Sequence, residues 1–172
     1  MVVSLQNQRI WILVDASRCS GCKLCEVVCS LKHEGKIWPE ASRIRIFEEI
    51  PGATVPHLCV QCPDYPCVKS CPVNALSVYE KTGAVVVDEK KCIGCGRCVD
   101  ACPGKVPRIP GNRKIVVICD LCYGDPECVK ICNEAGYGAL RLYKGGSRPT
   151  FKTFARNPID KSLILARKMF GE

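Results

Sequence analysis

The alternation of apolar and polar residues predicts short β-strands along most of the chain. Residues 42–47, SRIRIF, alternate with a period of two, as in a strand with one buried face. Residues 9–14, RIWILV, form a mostly apolar run of strand length. Two short apolar runs flank the turn sequence Lys81-Thr82-Gly83 and predict a hairpin. The predicted strands are residues 9–14, 42–47, 77–79, 85–87, 114–118 and 139–143.

A helical pattern appears near the C-terminus, at about residues 158–170. Asn157 is a favoured N-cap, and Pro158 suits the first helical position. Two interpretations are open: the helix docks a partner subunit, or it folds back on its own domain. Apolar residues recur near helical spacing at Ile159, Leu163, Ile164 and Met169. Solvation is an equally open interpretation of the basic residues Lys152, Arg156, Lys161 and Arg167.

Sixteen cysteines among 172 residues add a chemical pattern to this outline. They fall into four runs of four, and none is left over. The first and third runs read C-x2-C-x2-C-x3-C, whereas the second and fourth lengthen the middle gap to four and five residues. In chain order, the runs comprise Cys19, Cys22, Cys25 and Cys29; Cys59, Cys62, Cys67 and Cys71; Cys92, Cys95, Cys98 and Cys102; and Cys119, Cys122, Cys128 and Cys132.

This spacing is typical of [4Fe–4S] clusters. Each iron of the cubane takes a soft, deprotonated sulfur ligand, so one tight loop with three thiolates can bind three irons. In two-cluster ferredoxins, the fourth cysteine of a run ligates the other cluster. The four runs therefore predict four [4Fe–4S] clusters in an electron-transfer protein. Its expected fold class is α+β, with short strands and short helices around nested two-cluster ferredoxin-like modules.

Zinc and disulfide bonds are the alternative uses of so many cysteines. Zinc knuckles contain C-x2-C pairs but do not require the third and fourth cysteines of these runs. A disulfide scaffold is typical of a secreted chain. The sequence MVVSLQNQRIWILVD has no basic region, long apolar run or small-residue cleavage site, so no signal peptide is expected. We accordingly expect reduced thiols and a cytoplasmic location, with co-export by a signal-bearing partner as the alternative.

The charge balance agrees with buried clusters. Lysine and arginine number 25 against 17 aspartates and glutamates, a formal net charge of +8. An oxidised [4Fe–4S] cubane with four thiolates carries about two negative charges, so four of them would balance this excess. The basic residues are scattered and not grouped with aromatics, which disfavours nucleic-acid binding. No stretch reaches the roughly 18 apolar residues that a membrane span needs.

Prolines divide the four runs into two pairs. Cys71 and Cys102, which close the second and third runs, precede prolines, whereas the outer runs are followed by Ser30 and Asn133. This difference predicts nesting: the inner runs pair with each other, and so do the outer runs. We name the predicted ligand sets A (Cys19, Cys22, Cys25, Cys132), B (Cys59, Cys62, Cys67, Cys102), C (Cys92, Cys95, Cys98, Cys71) and D (Cys119, Cys122, Cys128, Cys29).

The predicted domain organisation follows from this nesting. A four-cluster domain is expected at residues 1–143, with an inner module at 55–108 and an outer module at 10–34 plus 112–143. Residues 144–172 would form a basic extension that contains the C-terminal helix.

Residues other than cysteine are expected to support the clusters. Gly21, Gly94 and Gly96 lie within the runs, where backbone amides can approach the sulfurs. Because the cysteines fill all sixteen ligand positions, His33 and His57 are expected at the surface or against the ligands. No grouping of residues apart from the runs indicates catalysis, so the chain is not expected to be an enzyme.

Four phrases carry a resemblance to a known family: SRCSGCKLCEVVCSLKHEG, PHLCVQCPDYPCVKSCPVNAL, KKCIGCGRCVDACP and ICDLCYGDPECVKIC. They resemble the four-cluster iron–sulfur subunits of molybdopterin and tungstopterin enzymes, such as dimethyl sulfoxide reductase and formate dehydrogenase. The compact fourth run is most similar to the small subunit of tungsten aldehyde:ferredoxin oxidoreductases. The resemblance implies the same nested pairing, and a line of clusters between the pterin metal and an external acceptor.

The implied partners are a tungsten or molybdenum pterin catalytic subunit and a ferredoxin or a further redox subunit. Self-association is a further possibility. Three alternatives are open: a polyferredoxin for a hydrogenase or another redox enzyme, a stand-alone soluble carrier, and a zinc-dependent binding module.

Overall fold

The computed structural model describes residues 9–145 and 155–171. In these residues, six short strands pair into three two-stranded antiparallel sheets. The strands are β1 (Ile10–Val14), β2 (Arg45–Phe47), β3 (Val55–His57), β4 (Leu76–Tyr79), β5 (Ala84–Val87) and β6 (Leu140–Lys144). The helices are α1 (Leu24–Glu34), α2 (Pro66–Lys69), α3 (Arg97–Ala101), α4 (Glu127–Glu134) and α5 (Pro158–Phe170). The α+β prediction is confirmed.

Strand pairing joins distant parts of the chain. β1 pairs with β6 from Ile10 opposite Lys144 to Val14 opposite Leu140, which brings the two ends of the cysteine-rich region together. β4 and β5 form the predicted hairpin, and β2 pairs with β3. The helices follow the same nesting, because α1 packs against α4 and α2 packs against α3. The division into an inner and an outer module is not tested directly and stays a prediction.

Two strand predictions are corrected. Residues 114–118 do not form a strand; Val117 makes an isolated bridge with Arg108. Pro110 stands at the next position of this ladder that would donate a hydrogen bond and has no N–H, so the ladder cannot extend in that direction. The strand predicted at 42–47 begins only at Arg45. The Ser42 hydroxyl instead bonds locally to the carbonyl and the N–H of Ile44, which competes with strand pairing.

The hydrophobic core is built around the cysteines. Ile44, Leu121 and Leu140 are almost completely buried, and they belong to one cluster of buried side chains with cysteines from all four runs. Apolar packing therefore surrounds the thiols, and the positions of the thiols and of the core depend on each other.

Helix α5 folds back on the rest of the chain. It packs against β3, where Leu165 is buried with Ala53 and Val55. Asn157 caps it by accepting a hydrogen bond from the Asp160 N–H at 2.9 Å, as predicted. Its apolar residues Ile159, Leu163 and Phe170 remain exposed.

The basic residues near α5 have different surroundings. Arg156 and Arg167 are exposed, which agrees with solvation, and Lys152 lies outside the described residues. Lys161 is half-buried, so solvation does not describe it. Its side chain turns inward because it is on the flank of the helix that packs against β3. Among the described helices, none is both long and apolar enough to cross a membrane.

Candidate iron–sulfur sites

All four cysteine runs share one backbone turn. The residue before the second cysteine has a left-handed conformation in every run, with φ between 52° and 75° at Gly21, Gln61, Gly94 and Leu121. Two of these residues are glycine, which adopts this conformation without a steric penalty. The turn curls the chain, so that successive cysteines and backbone amides face the same space. The internal repeat seen in the sequence is therefore also a repeat in backbone conformation.

A helix follows each turn and positions the third cysteine. Cys25, Cys67, Cys98 and Cys128 each occupy the second residue of their helix, from α1 to α4. The outer helices α1 and α4 continue past their fourth cysteine, whereas α2 and α3 end just before theirs. The prolines after Cys71 and Cys102 agree with this early end, because proline cannot continue a helix.

The thiols of sets A and C each line a small cavity. Cys19, Cys22 and Cys25 share one with Cys132 from the fourth run. The members of set C share another, lined by Cys71, Cys92, Cys95 and Cys98. In both cavities, three cysteines of one run meet the fourth cysteine of a different run, as the predicted sets require.

The thiols of sets B and D are more deeply buried. Burial raises the pKa of Cys59, and the nearby Cys67, Cys102 and Cys62 raise it further. Burial also raises the pKa of Cys122 to about 11, with smaller contributions from Asp120 and Cys29. Cys102 therefore lies near the second run and Cys29 near the fourth, which matches sets B and D. The assignment of these sixteen cysteines as ligands stays a prediction.

Backbone amides point at several sulfurs. The Ala75 N–H donates to Cys71 Sγ at 3.2 Å, and the Arg43 N–H donates to Cys29 Sγ at the same distance. Burial opposes ionisation of Cys71, but N–H groups at residues 73–76 outweigh it, and the pKa of Cys71 is lowered. Donors of this kind stabilise thiolates, the form in which cysteine binds iron.

The spacing of the thiols does not match a zinc site. A tetrahedron with Zn–S bonds of about 2.3 Å holds its sulfurs roughly 3.8 Å apart. Among the described residues, which include every cysteine, no three thiols lie within 4.8 Å of one another. One group of three potential ligand atoms does, formed by His33, Asp120 and Cys122. Four thiols around a wider space agree with a cubane, whose sulfur ligands bind different iron atoms.

Charge interactions between different sets join C with B, B with D, and D with A, which arranges the sets in the order C, B, D, A. Burial and the charges of the other cysteines in set B raise the pKa of Cys67, and Cys98 of set C raises it further. Burial raises the pKa of Cys119 in set D, and the charge of Cys59 in set B adds to this rise. Burial likewise raises the pKa of Cys128 in set D, and the charge of Cys25 in set A adds to it. The terminal sets C and A contain the exposed cysteines Cys95 and Cys22.

Gln61 and Lys161 contact these sites without having been singled out for it in the sequence, whereas both histidines lie where one of their two expected positions places them, against the ligands or their neighbours. Gln61 is 1% exposed; its amide donates to the Cys119 carbonyl and accepts from the Val85 N–H, which links two runs and the hairpin. Lys161 Nζ lies 3.1 Å from His57 Nδ1. The other histidine, His33, lies beside Cys122, with 3.7 Å between Nε2 and Sγ. No signal in the sequence distinguished Gln61 or Lys161 from surface residues, since their contacts are distant along the chain.

Comparison with known families identifies the chain. A model described as a 4Fe–4S dicluster domain matches residues 51–137, half of the chain, and a second, described as a 4Fe–4S binding domain, matches residues 16–32. The chain belongs to the 4Fe–4S dicluster family. As a 4Fe–4S dicluster protein it binds multiple [4Fe–4S] clusters, which confirms the cofactor type expected from the runs.

Three relatives of this 4Fe–4S dicluster protein are named as subunits of larger enzymes. The polyferredoxin-like subunit of an aliphatic sulfonate oxidoreductase from Pyrococcus furiosus is 68% identical, and the match covers 96% of each chain. A tetrathionate reductase subunit from Salmonella typhimurium is 32% identical over 79% of this chain and 58% of its own. Formate hydrogenlyase subunit 2 from Escherichia coli is 30% identical over 71% of this chain and 77% of its own.

Proposed function

We propose that the chain is a non-catalytic subunit that relays electrons between a catalytic subunit and an external acceptor. When bound, each [4Fe–4S] cluster accepts and releases one electron. The observation that carries the proposal is the order C, B, D, A of the cysteine sets, with an exposed cysteine in each terminal set. A donor would approach one terminal set at its exposed cysteine, and an acceptor would approach the other.

The ligand assignment is part of the proposal. Three thiols of each run and the fourth thiol of its nested partner would hold one cluster, which gives four clusters per chain. Two cavities, each lined by one complete set, support this assignment. The spacing of the thiols and the N–H donors at Cys71 and Cys29 support it as well.

The proposed catalytic partner is a tungsten- or molybdenum-pterin oxidoreductase. The relative at 68% identity is described as a subunit of an aliphatic sulfonate oxidoreductase. We therefore place an aliphatic sulfonate first among the partner's substrates and an aldehyde second. The external acceptor would be a ferredoxin or a further redox subunit.

A polyferredoxin that serves a hydrogenase is the second candidate. The similarity to formate hydrogenlyase subunit 2 favours it, although at much lower identity. Its catalytic partner would contain neither tungsten nor molybdenum.

Metal analysis of the complex separates these candidates. The tagged chain would be purified without oxygen from its native host, and iron, sulfide, zinc, tungsten and molybdenum counted per chain. About 16 iron atoms from this chain, with tungsten or molybdenum in the co-purified subunit, is the expected result. Iron with neither metal would favour the hydrogenase candidate, and zinc in place of iron would contradict the electron-transfer proposal.

A further inference from the structure

Helix α5 places a cation beside a buried histidine. Lys161 is half-buried, and its Nζ lies 3.1 Å from Nδ1 of His57, which is only 5% exposed. An ammonium group has only donors, so Nδ1 must accept the hydrogen bond. A nitrogen that accepts a hydrogen bond carries no proton, so the cation at this position is Lys161.

The chain segments packed against the start of α5 carry cysteines of set B. His57 precedes Cys59 by two residues, and Gly104 follows Cys102 by two. A Cβ built on Gly104 would lie 3.5 Å from the carbonyl oxygen of Arg156, at the entry to α5. The start of the helix thus packs against a chain segment that delivers a thiol to set B. Burial lowers the pKa of Lys161 to about 8, and the negative charges of Cys102 and Cys59 act in the opposite direction.

Lys161 has no carboxylate counterion in the part of the chain that the structure describes. The ion pairs found there involve other residues, and none includes Lys161. A half-buried ammonium group without an anion is unfavourable, because burial removes its hydration. Four thiolates and a [4Fe–4S] cluster would supply about two negative charges at the place where the anion is missing.

We propose that Lys161 is the electrostatic partner of the cluster held by set B and that it raises the reduction potential of that site. The inference rests on the proposed occupancy of set B by a [4Fe–4S] cluster. Reduction adds a negative charge to the site, and a nearby cation stabilises the more negative state. Lys161 thus adjusts the reduction potential of the site that lies second in the order C, B, D, A. It is contributed by α5, an element outside the four runs.

The test is a redox titration of the full-length, iron-loaded protein, followed by electron paramagnetic resonance. Lys161→Met removes the charge, Lys161→Arg keeps it, and Lys168→Met removes the charge of an exposed lysine on the same helix. We expect Lys161→Met to lower the equilibrium constant for reduction of one site by at least about tenfold, or about 59 mV. Lys161→Arg and Lys168→Met should leave all potentials near those of the wild type.

Iron and sulfide counts distinguish failure of this inference from failure of the proposed function. Wild-type protein without iron would overturn both. Fully loaded Lys161→Met with unshifted potentials, or with the same shift as Lys168→Met, would overturn the role of Lys161 alone. If Lys161→Met does not load, Lys161→Gln provides a second neutral variant. Loss of one cluster's iron in both neutral variants but not in Lys161→Arg would support the charge pairing, whereas the same loss in Lys161→Arg would contradict it.

Discussion

Individual residues of the cysteine runs are constrained by backbone conformation as much as by ligand chemistry. Gly94 and Gly96 illustrate two levels of this constraint. Both have positive φ, but only at Gly94 would a Cβ meet another backbone segment, at 2.4 Å from the Lys114 carbonyl oxygen. A Cβ on Gly96 would meet no atom of the described residues within 4 Å. Alanine at Gly96 would therefore lose stability only through its left-handed backbone conformation, whereas alanine at Gly94 would also lose stability through a steric clash.

Gly94→Ala is predicted to destabilise the protein more than Gly96→Ala. Each alanine should cost about 1 kcal/mol for its left-handed conformation. Gly94→Ala must also displace the backbone at Lys114, beside the cysteines of set C. We expect its melting temperature to lie at least about 4 °C below that of Gly96→Ala. Thermal unfolding of the iron-loaded proteins, followed by circular dichroism, measures this, and equal melting temperatures would contradict the close contact.

Glu34 makes a largely buried ion pair at the end of α1. Its carboxylate contacts Arg43 at 2.7 Å and Arg113 at 2.5 Å, and its side chain is 10% exposed. Burial would raise the pKa of Glu34, but the hydrogen bond and charge of Arg43 and the charge of Arg113 outweigh it and lower the pKa. The pair fixes α1 to two later segments of the chain.

Glu34→Gln is predicted to cost about 3 kcal/mol, because it leaves the largely buried Arg43 without its carboxylate and Arg113 with Glu89 alone. Since the folded pKa of Glu34 is depressed, its stabilisation is present above its ordinary value of 4.5 and is lost as the pH falls through the lower, folded value. The difference in melting temperature between wild type and variant should therefore be constant near neutral pH and shrink below pH 4.5. Asp88→Asn, which removes an exposed pair with Lys91, is the control. A difference that grows on acidification would refute the assignment.

At the scale of elements, the four runs and their helices follow a repeated plan, whereas α5 is an addition to it. α5 buries Leu165 against β3 and brings Lys161 to set B, so its N-terminal end is the part that faces the cysteines. The stability of that end depends on its cap, because the first N–H groups of a helix have no partner within it.

Asn157→Ala is predicted to loosen the start of α5. Loss of the hydrogen bond from the Asp160 N–H should cost about 1 kcal/mol. Hydrogen exchange, measured by mass spectrometry on the iron-loaded protein, should then be faster in the first turns of α5 and unchanged in α1 to α4. Asn112→Ala, at an exposed position outside the helices, is the control. Unchanged exchange in α5 would mean that packing, and not the cap, holds this end.

An element could be predicted from the sequence when the residues that determine it are close together along the chain. Strand β1, the β4–β5 hairpin and α5 follow from residues that are adjacent in the sequence, and the sequence predicted all three. The prediction of a strand at 114–118 was wrong because its pairing is limited to one bridge, and Pro110, on the separate partner segment, cannot donate the next hydrogen bond. Gln61 and Lys161 could not be assigned for the same reason: their partners, Cys119 and His57, are 58 and 104 residues away.

At the scale of the whole molecule, the cysteines occupy the place of a conventional core. Burial raises the pKa of Cys25 and Cys67 to about 12, so without metal these thiols are protonated at pH 7. Loading with iron must release those protons, and the metal–thiolate bonds then link segments from all four runs.

Removal of iron is therefore predicted to unfold most of the chain. An anaerobic chelator should abolish the cooperative thermal transition and much of the circular dichroism signal of the helices. Reconstitution with iron and sulfide should restore both. An apo-protein that keeps its helices and a cooperative transition would show that apolar packing alone maintains this fold.

The central claim is that each cluster takes three thiolates from one run and the fourth from its nested partner. The most direct test counts iron in two double variants, loaded without oxygen. Cys19→Ala with Cys132→Ala removes two ligands of set A and should cost one cluster, about four of about 16 iron atoms per chain. Cys19→Ala with Cys29→Ala removes one ligand each from sets A and D and should affect two clusters. The reverse pattern, with two clusters affected by the first pair and one by the second, would contradict the nested assignment.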